Sequence, residues 1–406
     1  MNAMIKTDDL SSKSYKCAYP RNPLGKPLVN LDNLHSPLKI LAQSEMIRKF
    51  ANGEKIFPIH LRMGITNRCN MSCNYCNFHS PNESFFYDNF NYNDELSTHE
   101  IISFLRDFVK NGGKAVTFCG SGECTIHQGY IDICRQANLM GLKIGLITNG
   151  SMLHKEELAL CIAQTHTWVR IGMNAGTAKT FNKITHYEED GFAKILKSIA
   201  FLQENSIDSD FRVGVNFVIT MENYMEMVLA ATLAKDAKAN YIRFEPEFYT
   251  ALGHLPIESS LEMIASLLDE AKNIANDIFQ VSIPKLDRGK MTKTDEVEGK
   301  FKKCHYSNFT TALGADGCIY PCPQVHLGSK YNMGNAIING YDEWLKSGNA
   351  EKWHNVNHNR EDLCKTCFYR PQNELLDLIF SKKIDLDKVI TEYSRDFPVT
   401  LHELFI

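Results

Sequence analysis

Short apolar runs alternate with amphipathic stretches through most of the chain. Runs rich in Val, Ile and Phe predict buried strands, whereas apolar positions spaced three and four residues apart predict helices. The predicted strands are residues 58–65, 114–119, 142–148, 166–172, 211–219 and 240–245. The predicted helices are residues 97–110, 127–140, 154–163, 191–205, 222–237 and 257–277. The pattern therefore predicts a succession of strand–helix units.

Six strand–helix units predict a parallel sheet, because each helix returns the chain to the same end of the sheet in a right-handed crossover. Six units are too few for a closed barrel of eight strands. The expected fold class is therefore α/β, in the form of an open, partial (β/α)6 TIM-like barrel. In such barrels the chemistry takes place at the carboxyl ends of the strands.

Local signals set the expected ends of elements and the division into domains. Ser97 and Glu100 have the spacing of a capping box at the start of a barrel helix. A helix predicted before the barrel begins at Ser36 and Pro37 and ends at Gly53. The expected division is an N-terminal arm and helix (1–55), the barrel (56–289), a small cysteine-rich domain (300–370) and a helical segment (371–406), with a charged linker at 290–300.

Composition excludes several classes of protein. The 406 residues are 44% apolar and 23% charged, which is an ordinary globular balance. A net charge of −4 with both signs interspersed gives no electrostatic reason to expect a nucleic acid or a membrane as partner. The sequence has neither an apolar run of about 18 residues nor a signal-peptide pattern, so a cytoplasmic location is expected. In that compartment, clustered cysteines among the thirteen present indicate metal binding rather than disulfides.

The first cysteine cluster follows the first predicted strand. Cys69, Cys73 and Cys76 are separated by three and two residues. Three thiolates can bind three irons of a 4Fe–4S cubane and leave the fourth iron open, and catalytic metal sites keep such an open position. The alternative is a zinc knuckle in which His79 supplies a fourth ligand.

This cysteine pattern, with Tyr75 at its aromatic position, resembles the signature of the radical S-adenosylmethionine (SAM) superfamily. The resemblance implies a SAM-binding 4Fe–4S cluster and places Tyr75 beside the adenine. It also assigns SAM contacts to the loops after the second, third and fourth strands: Gly120, Ser121, Gly122, Glu123, Thr148, Asn149 and Asn174. Cys124 departs from the family pattern, which usually has proline there.

A second cysteine cluster occupies the C-terminal part of the sequence. Its order of hairpin, tryptophan-bearing helix and CxxC pair resembles the SPASM or Twitch extension of radical SAM enzymes. The resemblance implies one auxiliary 4Fe–4S cluster, with the ligands Cys304, Cys322, Cys364 and Cys367. Cys318 remains a possible replacement for one of them, and a structural four-cysteine zinc site is the alternative to the cluster.

The end of the sixth predicted strand carries charged residues. Alternation along a strand points Arg243, Glu245 and Glu247 to one side. There they can hold a polar substrate, and either glutamate can act as a general base; a solvated barrel rim is the alternative. Arg170, Arg212 and Asn216 are further candidates.

The resemblance implies hydrogen abstraction by a 5′-deoxyadenosyl radical. The expected substrate is small and polar (sugar-, aminocyclitol- or nucleoside-like), and the expected outcome is net oxidation through the auxiliary cluster. Flavodoxin or ferredoxin is the expected electron donor. A radical-based maturase of ribosomally made peptides, a decarboxylase and an epimerase are alternatives on the same scaffold. A zinc-stabilised binding module is the alternative from a different class.

Overall fold

The computed structural model describes residues 37–81, 90–187, 190–247, 260–283, 303–323, 331–354, 367, 369–396 and 401–406. The predicted linker at 290–300 and Cys364 lie outside these residues, as does Ser36. No helix in the described ranges combines the length and the apolar character that a membrane crossing requires.

The described residues form one nine-stranded sheet with the order β7-β6-β5-β4-β3-β2-β1-β8-β9. Its strands are β1 His60–Met63, β2 Ala115–Phe118, β3 Lys143–Thr148, β4 Trp168–Gly172, β5 Arg212–Ile219, β6 Tyr241–Pro246, β7 Gln280–Ser282, β8 Thr310–Leu313 and β9 Ile319–Tyr320. All neighbouring pairs are parallel except β8 with β9. The predicted α/β class with a mainly parallel sheet is confirmed.

Helices connect and flank the strands of this sheet. They are α1 Ser44–Ala51, α2 Thr98–Lys110, α3 Tyr130–Leu139, α4 Glu156–Thr165, α5 Ala178–Thr185, α6 Gly191–Glu204, α7 Met227–Asp236, α8 Leu261–Lys272, α9 Tyr341–Lys346, α10 Asn349–His354, α11 Arg370–Phe380 and α12 Leu386–Asp396. Ser97 and Glu100 form the predicted capping box of α2. The predicted helix before the barrel is in part a 3-10 helix, Pro37–Gln43, and Gly53 follows it with φ +82°.

The sheet continues beyond the six predicted strands at both edges. β7 pairs with β6, and β8 pairs with β1 in the register His60↔Thr310. All four residues of β8 are buried, so the segment assigned to the cysteine-rich domain begins as part of the barrel sheet. An unpaired β1 would leave a row of backbone hydrogen-bonding groups without partners, and β8 satisfies them.

Alternate strand residues divide the core from the barrel interior. Residues of β1 and β4 that face the helices, such as Leu61, Met63, Val169 and Ile171, are 0% exposed. Arg62 and Arg170 between them point to the interior and keep partial exposure. The hydrophobic core therefore lies between the sheet and the helices, and the inside of the partial barrel is polar.

The last described residues pack against the N-terminal end of the barrel. The neutral His60 ring donates through Nδ1 to the main-chain oxygen of Ile406 at 2.7 Å, and burial holds the pKa of His60 well below its usual value. The Phe405 ring lies edge-on to the rings of His60 and Trp168, each at 5.5 Å between centroids. These contacts close the end of the barrel opposite the cysteine loop.

Phe405→Ala should lower the free energy of unfolding by about 3 kcal/mol, because it removes a buried aromatic ring and leaves a cavity. The control is Leu139→Ala, since Leu139 is 77% exposed and its loss should cost less than about 0.5 kcal/mol. Denaturant unfolding of the two variants measures the difference. Equal stability would show that the C-terminal segment does not close the barrel.

Candidate active site

The loop with the first cysteine cluster docks on helix α5. The backbone N–H of Ser72 donates to Thr185 O at 3.0 Å, and that of Asn74 donates to Ile184 O at 2.9 Å. These acceptors belong to the last turn of α5, whose carbonyls have no partner within the helix. The loop is thereby fixed at the carboxyl end of the strands, where the barrel fold places its chemistry.

The three thiols of this loop have a donor set that suits an iron–sulfur cluster. The backbone N–H groups of Phe78 and His79 both donate to Cys76 Sγ at 3.4 Å, and Asn149 Nδ2 lies 3.8 Å from Cys69 Sγ. Burial raises the pKa of Cys69 and of Cys73 to about 12. Buried thiolates at this site therefore need cations in place of their protons, and N–H donors to sulfur are typical of metal thiolates.

The same geometry does not favour the zinc-knuckle alternative. Across the described part of the chain, no three His, Cys, Asp or Glu side chains converge on a single ion. The His79 ring packs against Phe90 and Tyr92, and its Nε2 is buried without a partner among these residues. A cubane binds each thiolate to a different iron, so its ligands lie further apart than those of one zinc ion.

Glu123 joins the loops after β2 and β3. Its carboxylate is 3% exposed and accepts hydrogen bonds from Thr148 Oγ1 at 2.7 Å and from the backbone N–H of Asn149 at 2.6 Å. It also accepts from the N–H of Thr125 at 3.1 Å and so caps the 3-10 helix Cys124–Ile126. The structure therefore brings Glu123, Thr148 and Asn149 together, and the contact of Glu123 with SAM stays a prediction.

The glycine segment packs directly on the start of the cysteine loop. A Cβ at Gly122 would lie 2.3 Å from Arg68 O and 2.4 Å from Thr66 O, so the backbones are too close for any side chain. The Ser121 hydroxyl donates to Asn67 Oδ1. The predicted SAM segment and the predicted cluster loop thus form one continuous surface.

Tyr75 and Asn174 are also brought together, although 99 positions separate them in the sequence. Asn174 Nδ2 donates to Tyr75 Oη at 2.5 Å. Asn174 has a left-handed backbone (φ 52°), and its Oδ1 accepts from Val218 N at 2.8 Å. Hydrogen bonds from β5 therefore fix the side chain to which the resemblance assigns a SAM contact.

Comparison with known proteins relates this part of the chain to a family. Residues 63–234 match the model of the radical SAM superfamily. This part of the barrel is therefore similar to a radical SAM domain. Enzymes of that superfamily use SAM and a 4Fe–4S cluster.

Relatives and solved structures resemble the chain beyond this segment. The tungsten-containing aldehyde ferredoxin oxidoreductase cofactor-modifying protein of Pyrococcus furiosus is 25% identical over 288 residues, which cover 68% of this chain and 74% of the relative. The GTP 3′,8-cyclase of Campylobacter fetus is 25% identical over 275 residues, covering 65% and 79%. Streptococcus suis SuiB bound to S-adenosylmethionine has a TM-score of 0.58 at 14% identity, covering 83% of this chain and 78% of that chain. These structural likenesses show the fold.

Part of the second cysteine cluster lies next to a pair of stacked tyrosines beside the barrel. The ring centroids of Tyr306 and Tyr369 are 4.0 Å apart and the rings are nearly parallel. Cys322 interacts electrostatically with both phenols, and Cys304 with Cys367. The N–H of Cys318 donates to Asp316 Oδ1 at 3.0 Å, and Cys318 and Cys322 pack against the same small apolar cluster with Tyr320. Cys304 and Cys367 are therefore close to each other, and a single ligand set that joins them to Cys322 stays a prediction.

The charged residues of β6 face the interior of the barrel. Arg243 and Glu245 form an ion pair, and both keep about a third of their side-chain surface exposed, at 29% and 30%. Glu247 lies beyond them, and burial together with the Glu222 carboxylate raises its pKa to about 7. Arg212 does not join this group, because its Nη1 donates to Ser209 O and Phe211 O at the N-terminal end of β5.

Sequence reasoning missed Arg62 as an interior residue. It lies close enough to Cys119, Tyr306 and Tyr369 for electrostatic interaction. The available signal was the alternation of side chains along a strand. Arg62 stands two residues before Gly64 and four before Thr66, so it shares a face with them in an otherwise apolar run.

Glu123→Ala should weaken SAM binding by about 1.5–3 kcal/mol, the range for a hydrogen bond to a charged group. The loss also leaves the Thr148 hydroxyl and the Asn149 N–H without their acceptor. The control is Glu204→Ala, because Glu204 is exposed in the last turn of α6, which leads to the N-terminal end of β5, and its loss should leave SAM affinity unchanged. Calorimetric titration with SAM measures both, and a folded Glu123→Ala variant with wild-type affinity would contradict the assignment.

Proposed function

We propose that this chain is a radical SAM enzyme that oxidises a small polar substrate and passes the electron to an auxiliary 4Fe–4S cluster held by Cys304, Cys322, Cys364 and Cys367. The observation that carries the proposal is the pairing of β8 with β1. Gly64 N donates to Leu313 O at 2.9 Å, so the hairpin that leads to Cys322 is part of the barrel sheet and lies next to the strand that leads to Cys69. Strand β9 runs antiparallel to β8 and returns the chain towards the N-terminal end of β8, and Arg62 of β1 interacts with Tyr306 and Tyr369 of the same region. The two cysteine sets thus flank one barrel interior.

Different residues of this chain have different roles in the proposed reaction. Cys69, Cys73 and Cys76 hold the first cluster, and Tyr75 and Asn174 position SAM. When bound, the clusters and SAM supply hydrogen-atom abstraction and a place for the released electron. A flavodoxin or ferredoxin is the proposed reductant, and a cytoplasmic location follows from that pairing.

Glu247 is the proposed base. A carbon radical next to a hydroxyl or amine loses an electron readily only after a proton leaves that group. Glu245 is already paired with Arg243, whereas the pKa of Glu247 is raised to about 7, close to the value that suits proton transfer at neutral pH. Glu247 therefore takes the proton.

A substrate of nucleoside type has some additional support. The relatives named GTP 3′,8-cyclase act, by that name, on a nucleotide, and one covers 65% of this chain. SuiB is described with a precursor peptide bound, but its 14% identity speaks only for the fold. A small polar substrate is therefore preferred over a peptide.

Changing Cys69, Cys73 and Cys76 to alanine should remove about half of the iron and abolish reductive cleavage of SAM. Changing Cys304 and Cys367 to serine should also lower the iron content but leave SAM cleavage to 5′-deoxyadenosine measurable. Cys161→Ala, in helix α4, is the control and should change neither. Iron and sulfide analysis and chromatography of 5′-deoxyadenosine provide the measurements.

Two results would contradict this assignment. If the variant lacking Cys69, Cys73 and Cys76 still cleaves SAM, the catalytic cluster lies elsewhere. If the wild-type protein, reconstituted without oxygen, binds zinc in preference to iron, the chain is a binding module.

Product formation should rise with pH through about 7, because Glu247 is protonated below its raised pKa and cannot then act as a base. Glu247→Gln should remove this rise and lower the rate by about 100-fold or more. The control is Glu157→Gln, since the Glu157 side chain is 73% exposed on α4. Rates are measured between pH 5.5 and 8.5 with a substrate found by screening for 5′-deoxyadenosine; a flat profile in the wild type would exclude Glu247.

A further inference from the structure

The interior of the barrel is open where a closed barrel would be packed. Arg62, Arg170, Asn216 and Arg243 all point inward, and each keeps partial exposure. Residues that point outward on the same strands, such as Val215, are 0% exposed. In eight-stranded barrels the interior is instead filled by layers of branched side chains. Solvent therefore reaches charged groups in the centre of the fold.

These inward side chains carry an excess of positive charge. Arg62, Arg170 and Arg243 interact with one another or with Lys39. Within the described ranges, Arg243 alone of the three has a direct ion pair, with Glu245. Burial and then Arg243 lower the pKa of Arg170, while burial and then Arg62 lower the pKa of Lys39 to about 7. Like charges in a site of low dielectric are unfavourable until an anion joins them.

Two buried polar atoms in this interior have no hydrogen-bond partner among the residues that the structure describes. They are Arg62 Nε, a donor, and Asn216 Oδ1, an acceptor. Asn216 lies opposite Arg243 in the pairing of β5 with β6. Unpaired buried polar atoms are rare in native proteins because each costs free energy. A ligand that presents both an oxyanion and a hydroxyl or amine satisfies both atoms.

We infer that the barrel interior binds an oxyanion of the substrate, a phosphate or a carboxylate, through the guanidinium groups of Arg62, Arg170 and Arg243. Guanidinium forks match both oxyanions, because they offer parallel N–H donors. The inference rests on the proposed function and narrows its substrate to a small anionic molecule, such as a phosphorylated sugar or a nucleotide.

The position of Arg62 gives the bound anion a defined neighbour. Arg62 faces the stacked Tyr306 and Tyr369, and Cys322 interacts with both of those phenols. A substrate anchored on Arg62 therefore lies next to the second cysteine cluster, while its other end extends towards the loop of Cys69. The anchor thus places the reacting carbon between the two cysteine sets.

The test is the binding of inorganic phosphate and of malonate to the reconstituted holoenzyme with SAM, measured by calorimetry at fixed low salt. Arg62→Gln and Arg170→Gln should each lower the affinity for the anion about tenfold or more. Arg212→Gln is the matched control, because Arg212 lies on the same sheet but donates only to backbone carbonyls at the opposite end. It should leave binding unchanged.

Each outcome decides a separate point. Binding of phosphate but not of malonate identifies a phosphorylated substrate. Binding of malonate but not of phosphate identifies a substrate with a carboxylate. Binding of neither anion, or equal loss in Arg212→Gln, overturns the inference. If Arg62→Gln does not fold, Arg62→Lys is used instead, because lysine keeps the positive charge but lacks the paired N–H donors of the guanidinium. Undiminished anion binding by Arg62→Lys would also overturn the inference. SAM cleavage in the absence of substrate is measured in parallel. A protein that binds phosphate but never cleaves SAM would contradict the proposed function and leave the anion site standing.

Discussion

The parallel pairing of β1 with both β2 and β8 is the constraint on which the site depends. Backbone hydrogen bonds fix β1 in register with Ala115 on one side and with Thr310 on the other. All three strands end at the same edge, so the loop of Cys69 and the glycine segment emerge beside the turn between β8 and β9. A shift of one residue in either register would turn Arg62 away from the interior.

Hydrogen bonds between loops fix the site residues beyond the ends of the strands. The buried Glu123 carboxylate joins the ends of β2 and β3, and Asn174 joins the end of β4 to Tyr75. At the other end of the barrel, Phe405 closes the sheet. The interior thus has one closed end and one end at which the loop of Cys69 lies, which suits a small ligand held by arginines between the two ends.

Sequence periodicity predicted much of this fold, and its failures have physical causes. Strands β1 to β6 are apolar on their outer face, so the pattern of apolar residues in the sequence predicts them as strands. Strand β8 reads Thr-Thr-Ala-Leu, and nothing in four such residues separates a buried strand from a loop. Helix α5 was missed because it is short, yet it holds the cysteine loop. The cysteine spacings could be read directly, whereas the grouping of Arg62, Arg170 and Arg243 depends on strand order and register, which no local pattern encodes.

The central claim is that two iron–sulfur clusters flank the interior of one barrel, close to the anchored substrate. Pulsed electron paramagnetic resonance of the reduced, reconstituted protein tests it most directly. The account predicts signals from two clusters with dipolar coupling between them, and loss of that coupling when Cys304 and Cys367 are changed to serine. A single cluster in the wild-type protein, or two clusters without measurable coupling, would contradict it.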